Sequence, residues 1–172
     1  MTAPERGFPD DEFAARCAAM QAAMAREGVD AMLFASEPEI RYFTGFLTPF
    51  WQSPTRPWFL VLPPEGKPVA VIPSIGGPLM RSCYAGEVIT WSSPAAKDDG
   101  ISLLRDVLRR YLGTTGRLGM MMGRETALRM PLADFLELQH SIQGTMDNMA
   151  LHDMTAAVQR IRMVKSRREI AK

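Results

Sequence analysis

The sequence predicts an α/β domain built on a mixed sheet, and three observations carry that prediction. Short apolar runs recur between turn residues: DAMLFA at 30–35, WFLVL at 58–62, PVAVI at 68–72, VITW at 88–91 and RLGMMM at 117–122. Stretches with apolar residues at helical spacing lie between most of them, so strands alternate with helices. Two runs, however, flank only PPEGK, which reads as a hairpin and puts an antiparallel pair into the sheet. With 172 residues, 47% of them apolar and 23% charged, the chain fits one globular domain with a core of its own.

Each element has a local cause. Asp10 or Asp11 is placed to cap a first helix in which Phe13, Cys17, Met20 and Met24 share a face, and Gly28 ends it. After the 30–35 strand, Ser36 and Glu39 have capping-box spacing over a short helix, 38–43, stopped by Gly45. A loop follows, FLTPFWQSPTRP at 46–57, where hydrophobic periodicity lapses. Residues 75–84 read as helical, with Pro78 suited to a first turn. Asp98 or Asp99 caps an amphipathic helix to Leu112 that places Ile101, Leu104, Val107, Leu108 and Tyr111 on one side. Past the 117–122 strand and a turn at Gly123, helices are expected at 131–142 and 154–162, with a short strand at 145–149 between them.

Catalytic chemistry is sparse. His140 and His152 are the only histidines, and neither has a partner at metal-ligand spacing. Asp98-Asp99 and Asp10-Asp11-Glu12 stand where helices begin, so capping explains them better than acid–base work. IGGP at 75–78 follows a strand and precedes a helix, yet it lacks the other residues of a phosphate loop. Met20, Met24 and Met120 to Met122 fall on helix or strand patterns and read as core filler. The basic run Arg160, Arg162, Lys165, Arg167 and Arg168 has no interleaved aromatics in a chain of net charge +1, so it reads as a solvated face and no nucleic-acid partner is expected. Two isolated cysteines, no secretory leader and no long apolar span point to a cytoplasmic protein without membrane contact. The closing KSRREIAK carries a capping box, Ser166 and Glu169, over less than one further turn. One turn buries almost nothing, so the chain is expected to be the front piece of a longer protein.

R-x-x-x-M-x-x-x-M-x-x-x-GVDAMLFASEPEIRYFTGF (Arg16 to Phe46), the LVLPPEGKPVAVIP hairpin and the closing VQRIRMVKSRREIAK occur in one order. Together they resemble the N-terminal domain of the creatinase, prolidase and Xaa-Pro aminopeptidase family. The resemblance implies a ribonuclease H-like α/β fold: a mixed, mostly parallel-type sheet of about five to six strands with one hairpin, helices on both faces. It divides the chain into a domain at 1–164 and, at 165–172, the junction and first turn of a "pita-bread" catalytic domain. That absent domain is expected to hold two divalent metal ions (Mn, Co or Zn) on Asp, Asp, His, Glu and Glu ligands. Those ligand motifs do not occur here, so the resemblance assigns this piece no catalytic residue, no metal ligand and no cofactor, and leaves hydrolysis to the intact protein. It also implies a homodimer in which this domain reaches over the neighbouring subunit's active site and touches a small peptide or amidine substrate. The matching loop, 47–57, offers Trp51 and Arg56 as substrate-binding residues, although their spacing is a few residues longer than in creatinase. The alternative is a stand-alone peptide- or protein-binding module of the same fold, as in metal-free members of chromatin factors.

Overall fold

The computed structural model describes residues 7–53, 56–95, 98–113, 115–143 and 150–172. Six strands form one sheet in the order β4-β3-β2-β1-β5-β6: β1 Ala31–Phe34, β2 Phe59–Leu62, β3 Val69–Pro73, β4 Val88–Trp91, β5 Arg117–Met120 and β6 Ala150–Asp153. β1 pairs antiparallel with β2, and β2 with β3 through the hairpin; the β3–β4, β1–β5 and β5–β6 pairs are parallel. Of the six strands β2 alone therefore runs against the rest, and the sheet is mixed, as the sequence predicts, and mostly parallel, as the resemblance implies.

Strands buried on both faces explain the unbroken apolar runs. Alternate residues feed two separate cores. Met32, Phe34, Leu60, Leu62 and Ile72 pack against α1 (Asp10–Glu27), α2 (Glu37–Thr44), α3 (Gly77–Arg81) and α6 (Thr155–Met163). Leu33, Phe59, Val61, Val71 and Leu118 face α4 (Ile101–Leu112) and α5 (Leu132–Gln143). Helices thus cover both faces. Gly119 sits where β5 passes between layers: a Cβ there would stand 2.2 Å from the Met32 sulfur.

Several local expectations change. The first helix begins after Pro9 without a side-chain cap, and Asp10, Asp11 and Glu12 occupy its first turn, where carboxylates favour the helix dipole. Ser36 holds the N-cap position of α2 but does not cap; its hydroxyl donates to the Glu39 carboxylate instead. Gly100 holds the N-cap position of α4, and the Asp98 carboxylate, two residues before it, accepts from the Ile101 amide at 2.6 Å and the Ser102 amide at 3.2 Å. The helix expected over 75–84 is a 3₁₀ turn at Ser74–Gly76 followed by the short α3. The strand expected to reach Met122 stops at Met120, because the Met122 amide turns out of the sheet to the Asp153 and Thr155 side chains. Met122 is consequently exposed and not core filler. The strand expected at 145–149 lies outside the described residues, and β6 follows it directly. α7 (Arg167–Ile170) carries the full capping box: the Glu169 amide donates to Ser166 Oγ at 3.1 Å and the Ser166 amide to the Glu169 carboxylate at 2.9 Å.

Candidate functional site

α2 ends at Gly45, whose φ of 79° only glycine adopts freely, and the chain turns back over the core. Within the expected loop, Pro49–Gln52 form a 3₁₀ turn. Thr48 opens it, its hydroxyl accepting from the Phe50 amide at 3.4 Å, and the Ser53 amide closes it on the Phe50 carbonyl at 3.1 Å. Trp51 points inward and is 6% exposed. Its ring lies 6.3 Å from Phe46 and 5.6 Å from Trp58, centroid to centroid. Among the described residues its indole N–H has no hydrogen-bond partner. Phe50, next to it, is 42% exposed, and Arg56 is half-buried. The sequence brings Trp51 and Arg56 together as a pair; the structure makes the first an anchor under the turn and leaves Phe50 as the turn's exposed aromatic.

Glycines support this corner by close approach. A Cβ on Gly76 would stand 2.3 Å from the Trp58 ring, so that glycine of IGGP admits an indole. Arg129, in the segment between β5 and α5, is the residue that sequence reasoning missed. Its Nη2 donates to the Ser53 carbonyl at 2.7 Å, and its guanidinium carbon lies 5.3 Å from the Trp51 ring centroid. The pair is separated by 76 positions, so no local spacing could have signalled it.

A second region gathers charge where α7 meets α1. Arg16 is 6% exposed; its Nη1 donates to the Tyr42 carbonyl at 2.9 Å, and its Nη2 lies 3.3 Å from Glu12 and 3.2 Å from Glu169. The Phe8 and Tyr42 rings flank the guanidinium at 4.5 and 4.3 Å. Arg168 pairs with Asp11, and that contact holds the Asp11 carboxyl below its usual range. Arg162 reaches the buried Glu39 at 2.7 Å. The basic run is thus partly a latch on α1 and α2 rather than a wholly solvated face. Beside it opens a groove of about 830 Å³ whose lining includes Arg16, Arg41, Tyr42, Arg162 and Lys172.

The two histidines stay apart. His140 is exposed on α5, whereas His152 on β6 bridges Glu27 (Nε2, 2.9 Å) and Arg117 (Nδ1, 2.7 Å). A guanidinium only donates, so His152 Nδ1 accepts and Nε2 carries the proton toward Glu27. Among the described residues no group of three or more His, Cys, Asp or Glu could hold a metal ion, so these residues do not fit the dinuclear site expected of an intact hydrolase. Burial pushes the Cys17 thiol up to about 12 and raises that of Cys83 as well, which leaves neither a ready nucleophile. No helix among the described residues is long and apolar enough to cross a membrane.

The described residues thus form an α/β scaffold with an anchored aromatic turn and a charged region where α7 meets α1. The model of the Creatinase/Prolidase N-terminal domain matches residues 16–164, and the chain belongs to that family. The creatinase of Bacillus sp. (strain B-0618) is 31% identical over 166 residues, covering 95% of this chain and 36% of the creatinase. Among solved structures, the prolidase of Thermococcus sibiricus superposes with a TM-score of 0.75 at 22% identity, covering 96% of this chain and 40% of that one. The Creatinase/Prolidase N-terminal domain of an X-Pro dipeptidase from Streptococcus pyogenes superposes with a TM-score of 0.61 at 16% identity, covering 85% of this chain and 98% of that one. These structures establish the creatinase N-terminal-domain fold. The chain spans well under half the length of the creatinase and of the Thermococcus prolidase.

Proposed function

We propose that this chain is the non-catalytic N-terminal domain of a cytoplasmic, metal-dependent hydrolase of the Xaa-Pro aminopeptidase, prolidase or creatinase type. In this reading it contributes to a homodimer and to substrate binding at the neighbouring subunit's active site, while two divalent ions (Mn, Co or Zn) sit in a catalytic domain that follows it. The observation that carries the reading is the family match over 16–164 combined with a relative in which the same region makes up 36% of the length. The substrate is a small peptide or an amidine, and the 47–57 loop is the part of this domain that meets it. Arg56 supplies a planar fork for a carboxylate, and Trp51 supports the turn before it. Loops set on a rigid scaffold commonly carry such contacts.

The test uses the 172-residue chain and the intact protein side by side, each with manganese or cobalt, against X-Pro dipeptides and creatine. The intact protein should turn over one of these substrates and lose activity with a chelator, while the chain alone stays at the buffer rate. Chelator-sensitive turnover by the chain alone sinks the proposal. Substrate or peptide binding by the intact protein without any turnover favours the stand-alone binding module instead.

A further inference from the structure

The hydrogen bonds that shape the Thr48–Ser53 turn are local: Trp51 N–H to the Thr48 carbonyl at 3.4 Å, Phe50 N–H to the Thr48 hydroxyl at 3.4 Å and Ser53 N–H to the Phe50 carbonyl at 3.1 Å. Two of them are long, and all three stay within the turn. The Trp51 indole is the turn's wedge in the core, but its buried N–H forms no bond among the described residues that would fix its rotation. The Arg129 side chain reaches both. Arg129 donates from one edge to the Ser53 carbonyl at 2.7 Å and lays its guanidinium 5.3 Å from the indole centroid. We propose that Arg129 is the positioning residue of this turn: it pins the turn's last carbonyl and its anchoring indole together, and so sets where Phe50 is presented. The guanidinium suits the task because it is planar, stays charged and can donate and stack at once, which an ammonium cannot. Through Arg129 the turn is coupled to the segment leaving β5, on the far side of β1 from the hairpin. The consequence for substrate rests on the proposed function; the positioning itself does not.

The experiment is done first on the 172-residue chain. Trp51 and Trp58 lie 5.6 Å apart at 45°, close enough for their indole transitions to couple into a far-ultraviolet circular-dichroism couplet, whereas Trp91 belongs to the opposite core. Arg129→Met should weaken that couplet while the thermal transition stays cooperative. Chymotryptic cleavage after Phe50 or Trp51, read by fragment mass, should quicken by at least about tenfold as the turn opens locally. Arg129→Lys, which keeps the charge without the fork, should fall between Met and wild type, and it decides the matter if the Met variant fails to fold. A couplet and a cleavage rate unchanged in both variants overturn the proposal. In the intact protein, Arg129→Met should raise KM with kcat nearly kept, the pattern of lost substrate binding. If the couplet and cleavage change while the kinetics do not, Arg129 still positions the turn and the substrate-loop reading is what fails.

Discussion

Replacing Trp51 by Ala tests whether the turn is anchored from beneath or merely lies on the surface. Truncating a buried Trp costs roughly 3–5 kcal/mol where the surroundings cannot collapse. Two features of the site lower that figure. Trp51 sits on a turn rather than a strand, so the chain can settle into part of the space. Its indole N–H is also buried without a partner among the described residues, a penalty of about 1–3 kcal/mol in the native state that Ala removes. The expected loss is therefore about 2–3 kcal/mol, toward or just below the low end of the Trp→Ala range. In a chain of 172 residues each kcal/mol moves the melting temperature by about 2–4 °C, so the melt should fall by roughly 4–12 °C. Urea unfolding followed by far-ultraviolet circular dichroism measures the loss directly, provided the slope m is the same in both proteins. Trp51→Phe, which keeps a ring against Phe46 and Trp58, should lose less than about 1.5 kcal/mol. A loss below about 0.5 kcal/mol for Trp51→Ala is the size of a surface change and would refute the anchoring argument.

The charged region where α7 meets α1 separates buried from exposed pairs. Arg16→Ala strands Glu12 and Glu169 in a largely dry site and should cost about 3 kcal/mol or more in urea unfolding, whereas Arg168→Ala should leave the transition unresolved from wild type because its pair with Asp11 is open to solvent. Gly45→Ala should lose about 2 kcal/mol in the same assay: its φ of 79° strains an alanine, and the new Cβ would stand 2.8 Å from Phe13. Asp153 is held below its usual range by the Thr155 hydroxyl and the Thr155 and Met122 amides, so its contribution is present above about pH 4 and disappears as acid protonates the folded carboxyl. The gap in melting temperature between wild type and Asp153→Asn should accordingly close as pH falls from about 5 to 2. Titration with a chromophoric disulfide should show Cys17 inert in the folded chain and reactive only in denaturant, since burial pushes its thiol up to about 12.

What the sequence determined by itself follows from period and punctuation. Apolar runs alternating with helical stretches required an α/β sheet, and 63–67 between two of the runs required the hairpin that contains the reversed β2. Ser166 and Glu169 specified their capping box because every partner lies within one turn. The same spacing at Ser36 and Glu39 did not: the serine hydroxyl donates to the Glu39 carboxylate, which also accepts from Arg162, far along the chain. Tertiary structure alone decided which aromatic of the loop is buried. Phe50 and Trp51 are neighbours with nearly equal apolar character, and only the positions of Phe46, Trp58 and Arg129 select the indole for the core. Arg129 itself was invisible to pattern, since its contacts form between segments that only the folded sheet brings together. Local rules reach as far as one turn or one pleat; which side chain meets which across the sheet is fixed by packing, and the anchored turn is made of such meetings.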